Sequence, residues 1–229
     1  MKRLSFFILL IGLVYPATVF AQNKALSLEG DEGYVGSNST ALNITGDLTI
    51  SARIKVNSLS NEWISVVTNS DGMPFSRNYS MWLNRAGFVF YASSDGFHQA
   101  ISSPINSISL GEWYCISLTV KADDNLKAYL NGSLVGLTPI GTPVSGHNNF
   151  RIGWVNEINP MFASFDGVID EVRIWNVART ETEIQATMNS TLAGNEEGLV
   201  GYWNFDDGTA RNLTTNGNDG EFQGNTKIV

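Results

Sequence analysis

Carboxylates supply most of the chemistry this sequence could perform. SFDGVIDEVRIW, residues 164–175, carries Asp166, Asp170 and Glu171 at the mouth of an apolar run, and the turn EGDEG brings Glu29 and Asp31 together among glycines. Asp206 and Asp207 follow as a further acidic pair. Two carboxyl groups flanking a glycosidic bond serve as acid and base, whereas carboxylates gathered with backbone carbonyls hold a hard cation such as calcium. Nucleophilic chemistry has less to draw on. Cys115 is the single cysteine, so no internal disulfide forms, and neither His98 nor His147 lies near it in sequence to act as its base. Glycine loops for phosphate and helix-borne metal-hydrolase signatures are absent, and no organic cofactor is expected.

The elements that would position these groups are strands. In DLTISARIKVNS, Leu48, Ile50, Ala52, Ile54 and Val56 fall on one face and Thr49, Ser51, Arg53, Lys55 and Asn57 on the other. The same period runs through Ile116, Leu118 and Val120, then Leu126, Ala128 and Leu130, after which Asn131-Gly132 predicts a two-residue hairpin turn. Further strands are predicted over 25–28, 63–68, 79–83, 87–92, 150–154, 168–175, 199–205 and 220–223. Helical signals occur once, where Thr180 and Glu183 form a capping box ahead of Ile184 and Met188. The expected fold class is all-β, an antiparallel two-sheet sandwich with one short helix.

Alternation then constrains the carboxylates. With Val172 and Ile174 facing the core, Asp170 points the same way, while Glu171 and Arg173 point outward together as a solvated pair. Residues on opposite faces cannot flank one glycosidic bond, which argues against Asp170 and Glu171 as an acid/base pair. An inward Asp170 costs several kcal/mol unless something compensates its charge.

Residues 1–21 read as a signal peptide: Lys2 and Arg3, an apolar run from Phe6 to Val14, then small residues ending at Ala21. Cleavage there predicts export to the periplasm, cell surface or medium, and leaves residues 22–229 as one domain without a membrane span. The formal charge of −8 becomes more negative once Lys2 and Arg3 are lost, so nucleic acid is an unsuitable partner.

Glycan recognition requires aromatic rings on a wet face with polar groups beside them. Trp82 lies opposite Met81 and Leu83 in the company of Ser80 and Asn84, and Tyr129 shares parity with Lys127. Trp82, Asn84, Tyr91 and Tyr129 are the candidate ligand-binding residues, and Trp113, Trp154, Trp175 and Trp203 are assigned to the core.

The ordered series ALSLEGDEGYV, GDLTISARIKV, LGEWYCISLTV, LKAYLNGSLVG, FDGVIDEVRIWNVART with TEIQA, and EGLVGYWNFDDG with NGNDGEFQG resembles the laminin-G-like jelly roll of the concanavalin A-like lectin superfamily. The pentraxins are a more distant likeness through Trp113 to Ser117, although Cys115 lacks a second cysteine. The resemblance implies two antiparallel sheets face to face, with sugar or protein ligands on a sheet face or at loop edges, and calcium in many members. It also places the first strand beside that of Asp170, where Glu29, Asp31 and Asp170 would share a calcium ion; a backbone cap or an arginine partner for Asp170 remains the other reading. Hydrolases of the superfamily alternate acidic residues along one strand face, which VIDEVRIW does not. The expected function is a non-catalytic carbohydrate-binding module, with a protein-binding adhesin and a glycoside hydrolase with a dispersed active site as alternatives.

Overall fold

The computed structural model describes residues 23–30, 33–70, 77–145, 149–154 and 161–229. The expected signal peptide lies outside them, as do Asp31 and His147.

Period-two runs become strands because burying one face of each removes its apolar side chains from water, at about 1.5–3 kcal/mol for a large aliphatic residue. Strand β1 (Leu26–Glu29) is followed by β2 (Tyr34–Ser37), a 3-10 turn at Thr40–Leu42, β3 (Leu48–Val56), β4 (Trp63–Asn69), β5 (Tyr79–Asn84), β6 (Phe88–Ser94) and β7 (His98–Ser102). Then come β8 (Trp113–Lys121), β9 (Asn125–Leu130), β10 (Ser133–Pro139), β11 (Phe150–Ile152), β12 (Phe162–Ala163) and β13 (Asp166–Trp175). Helix α1 (Glu181–Thr187) precedes β14 (Leu199–Trp203), β15 (Glu221–Gln223) and β16 (Lys227–Ile228).

These strands form two eight-stranded sheets. Sheet A runs β10-β9-β8-β3-β13-β1-β16, with β14 also paired to β13; sheet B runs β15-β2-β11-β4-β5-β6-β7, with the short β12 beside β4. Pairing is antiparallel except between β12 and β4. The sandwich expected from alternation is therefore present, and β3 buries the five residues assigned to its core face. Asn131 and Gly132 both adopt positive φ between β9 and β10, the backbone a two-residue hairpin needs. The Thr180/Glu183 capping box starts α1.

The core lies between the sheets. Ile54, Leu118 and Ile169 of sheet A face Val67, Met81 and Phe150 of sheet B, and Trp203 stacks on Phe150 with ring centroids 4.9 Å apart.

One irregularity redirects the acidic run. Asp170 pairs with Arg53 and Arg173 with Ser51, so Glu171 and Val172 together oppose Ala52. This bulge sits where β13 changes neighbour from β1 to β14, and Glu171 takes a φ of 52° to accommodate the extra residue. The expectation that Asp170 shares the core face of Val172 is therefore corrected. Ile169 and Val172 both reach the core because the inserted residue resets the alternation between them.

Candidate functional site

The two outer faces differ. That of sheet A is roofed by the chain itself. Glu171 and Arg173 do form the expected pair, but at 5% and 3% exposure it is buried, not solvated. The Tyr202 hydroxyl donates to both Glu171 carboxylate oxygens at 3.0 Å, and Arg173 donates to the carbonyls of Thr187 and Ser190. Arg173 thereby places its charge at the C-terminal end of α1, where the helix dipole favours a cation, and holds the helix onto the sheet. Burial pushes the Tyr202 phenol up. Beside this cluster, half-buried Cys115 has its thiol pushed up by burial.

Asp170, 1% exposed, accepts from the Glu171 amide at 2.7 Å. Burial, reinforced by the Glu171 charge, pushes its carboxyl up to about 7. The amide contact is the backbone-cap reading of Asp170. Glu29 stands opposite Asp166, four residues along β13 from Asp170 and roughly 13 Å away at strand rise, and it pairs with Lys227. Glu29 and Asp170 therefore do not fit a shared calcium ion, and no group of three His, Cys, Asp or Glu among the described residues is arranged to hold a metal.

Sheet B leaves a cleft on its outer face. Trp63 (β4), Trp82 (β5), Phe90 (β6), His98 (β7), Phe162 (β12) and Arg77, just before β5, line a cleft of roughly 200 Å³, smaller than the usual site for a drug-sized ligand. Register explains the grouping: Ser65 pairs with Trp82 and Trp82 with Phe90, while Phe162 lies opposite Trp63. Each ring occupies the outward position of its strand, with Ile64, Met81, Leu83 and Val89 taking the inward ones. Trp63 lies 5.1 Å from Phe90, Phe162 lies 5.1 Å from Trp82, and His98 stacks on Phe90 at 5.8 Å. The Arg77 guanidinium sits over Trp82, 5.4 Å from the ring centre.

Of the four residues expected to meet a ligand, Trp82 alone lines this cleft. It is the floor, not an exposed platform: Arg77 and Phe162 cover it to 1% exposure, so half-buried Trp63 and Phe90 are the rings an incoming molecule meets. Asn84 shares the face but spends its amide on the chain, donating to the Glu62 carbonyl at 2.6 Å and accepting from the Ala86 amide at 2.9 Å. Tyr91 is a core residue, in parity with Val89, and its hydroxyl donates to the Tyr129 carbonyl at 2.9 Å. Tyr129 belongs to sheet A and is 3% exposed. The expected quartet is thus divided between two sheets and the core. The tryptophan assignments need two corrections. Trp113 is 41% exposed at the start of β8 with Arg53 over its ring, and Trp154 is half-buried against Tyr34, 4.7 Å between centroids. Trp203 is in the main core, and Trp175 is buried in a satellite cluster with Leu199 and Tyr202. Trp63, Phe90, Phe162 and Arg77 were missed; outward parity with Trp82 across paired strands was the one available signal.

The sequence profile of the laminin-G group described as the concanavalin A-like lectin/glucanases superfamily matches residues 29–185. The chain belongs to this superfamily. Among solved superfamily-like folds, a protein from Bacteroides ovatus ATCC 8483, inferred to be carbohydrate-binding, is similar with a TM-score of 0.70 at 19% identity over 90% of this chain. This chain spans 59% of that protein's length. A heptameric SAP-like pentraxin from Limulus polyphemus gives 0.63 at 19% identity, covering 92% of this chain and 96% of its own. The CBM40 domain of a Ruminococcus gnavus sialidase, bound to α2,3-sialyllactose, gives 0.60 at 16% identity, covering 72% and 96%. At these identities the likeness is one of fold. No curated protein sequence gives a significant match.

Proposed function

We propose that this protein is an exported, non-catalytic carbohydrate-binding module that takes a glycan in the aromatic cleft of sheet B. The observation that carries the reading is the clustering of Trp63, Phe90 and Phe162 around a hollow on the outer face of sheet B. Aromatic rings held on paired strands offer apolar faces to a sugar at little entropic cost, since the strands fix them beforehand. The Ruminococcus gnavus domain bound to sialyllactose and the Bacteroides ovatus protein inferred to bind carbohydrate support the same reading. The described lining supports binding without turnover. None of its six described residues is a carboxylate, whereas glycoside hydrolysis ordinarily requires two across the scissile bond.

A glycan array with the purified protein tests this. Binding should be lost in Trp63→Ala and retained in Trp113→Ala, which removes an exposed tryptophan on the other sheet. Silence on the array, or equal binding by both variants, moves the ligand away from the cleft, and release of reducing sugar from a bound polysaccharide overturns the non-catalytic assignment.

A further inference from the structure

The walls of the sheet B cleft limit what can enter it. Toward β11 the way is shut: Ser65 and Thr68, the outward residues of β4 beyond Trp63, are fully buried, and the Trp154 carbonyl sits over them, accepting from both hydroxyls. Along the strands the hollow is bounded by Trp63, set edge-on to Phe88 at 6.2 Å, and by Arg77, buried over the Trp82 ring. On the remaining side β7 is the last strand of the sheet. A space of roughly 200 Å³, closed on three sides and open at a sheet edge, has room for a sugar ring and offers it a single exit. An internal residue of a glycan needs two exits; a terminal one needs only one.

The two ends of the hollow differ in chemistry. Phe162 pairs with Trp63, which is level with Asn84 and Phe88 across β5 and β6, so aromatic rings mark one end. Arg77 precedes β5 and its carbonyl accepts from the Ser94 amide at 2.9 Å, while Ser94 pairs with His98, so two nitrogen-bearing side chains mark the other. Phe90, stacked on His98 and 5.1 Å from Trp63, spans the middle. The rings of Trp63 and Phe162 carry no hydrogen-bond acceptor, and Asn84, the amide level with them, is engaged with Glu62 and Ala86. A sugar hydroxyl turned to this end would leave its proton unmatched, which is costly. A methyl group there buries apolar surface without that cost. Hydroxyls suit the end marked by Arg77 and His98.

Resting on the carbohydrate reading, we infer that the cleft holds the end of a glycan chain: a terminal sugar that turns a methyl group, from a deoxyhexose or from an acetamido substituent, toward Trp63 and Phe162, and its hydroxyls toward Arg77 and His98. Phe90 lies beneath the sugar ring between them.

Isothermal titration calorimetry with matched methyl glycosides tests this. The L-fucoside against the L-galactoside, and the L-rhamnoside against the L-mannoside, differ by one hydroxyl on the methyl carbon; the N-acetylglucosaminide against the glucoside tests the acetamido source. In at least one pair the methyl-bearing sugar should bind about tenfold more tightly, and the pair that shows it identifies the source. Oligosaccharides of the preferred sugar, from disaccharide to hexasaccharide, should bind with constant affinity at one protein per chain. Phe162→Ala should erase the preference while weakening the hydroxyl-bearing partner by no more than about twofold. If melting curves show Phe162→Ala misfolded, Phe162→Leu, apolar and smaller, should fold and keep a reduced preference. Equal binding within every pair, or affinity that climbs with chain length at several proteins per chain, overturns the inference and leaves the carbohydrate reading standing. So does a preference that survives Phe162→Ala in a folded protein. No glycan binding of any kind removes both.

Discussion

The outer faces of the two sheets start from the same strand pattern and are finished differently. Sheet A's face carries Glu171, Arg173 and Tyr202 and is closed by α1 and the chain that follows it, so the Glu171 carboxylate, the Tyr202 hydroxyl and the terminal nitrogens of Arg173 find partners within the chain. Sheet B's face carries Trp63, Trp82 and Phe90 and keeps a hollow. Burial of charge is tolerable on the first because its partners are built in. The hollow on the second is where the proposed glycan would meet Trp63 and Phe90.

The comparison can be broken most forcefully at the buried pair. Glu171→Gln leaves Arg173 without its counter-charge beneath the helix, and urea denaturation should show a loss of about 3–5 kcal/mol. A loss near zero would mean that the roof of sheet A is not held by this pair. Next in size is Asp170. Its carboxyl is raised in the folded state, so folding favours the protonated form, and the sign follows: stability is greatest below the unfolded value near 3.8 and declines as pH rises toward about 7. Carboxylates held below their ordinary range, such as Asp95 through the amides of Gly141 and Phe97, act oppositely but only at lower pH. Between pH 5 and 8 the melting temperature should therefore fall with rising pH, and Asp170→Asn should flatten that slope and stabilise the protein by on the order of 2 kcal/mol at pH 8. Trp63→Ala sharpens the contrast from the other side, with denaturation midpoints shifted by less than about 1 kcal/mol and glycan affinity reduced at least about tenfold. The smallest effect concerns Cys115. Its raised thiol, half-covered beside the Met188 carbonyl, should react with iodoacetamide at neutral pH more slowly than free cysteine.

Much of the fold was legible because local signals agreed. Five alternating residues fixed the face of β3, Asn131-Gly132 fixed a turn, and Thr180 with Glu183 fixed the start of α1. Alternation failed at one place, and the failure is physical: a bulge adds a residue that carries no compositional mark, so the parity of Val172 could not be extended back to Asp170. The candidate site was less legible. Outward parity placed Trp82 correctly but could not reveal that Arg77 and Phe162, the latter eighty residues away in sequence, would cover it. Nor could parity reveal which outward positions the rest of the chain would cover, which is why Tyr129 was expected to be exposed. Glu29 and Asp170 were assigned to neighbouring strands correctly, yet register, invisible to composition, set them four residues apart.

The first and last strands carry a mechanical corollary. Ala25 and Val229 exchange both backbone hydrogen bonds, at 2.9 and 3.0 Å, so β1 and β16 depart from the sheet at the same point and in the same direction. Tension applied between the two ends would peel β16 away one bond at a time, as a zipper opens, instead of shearing the whole ladder at once. A tether at both ends would thus detach this edge strand under modest load while the rows of rings on the far sheet stayed in register.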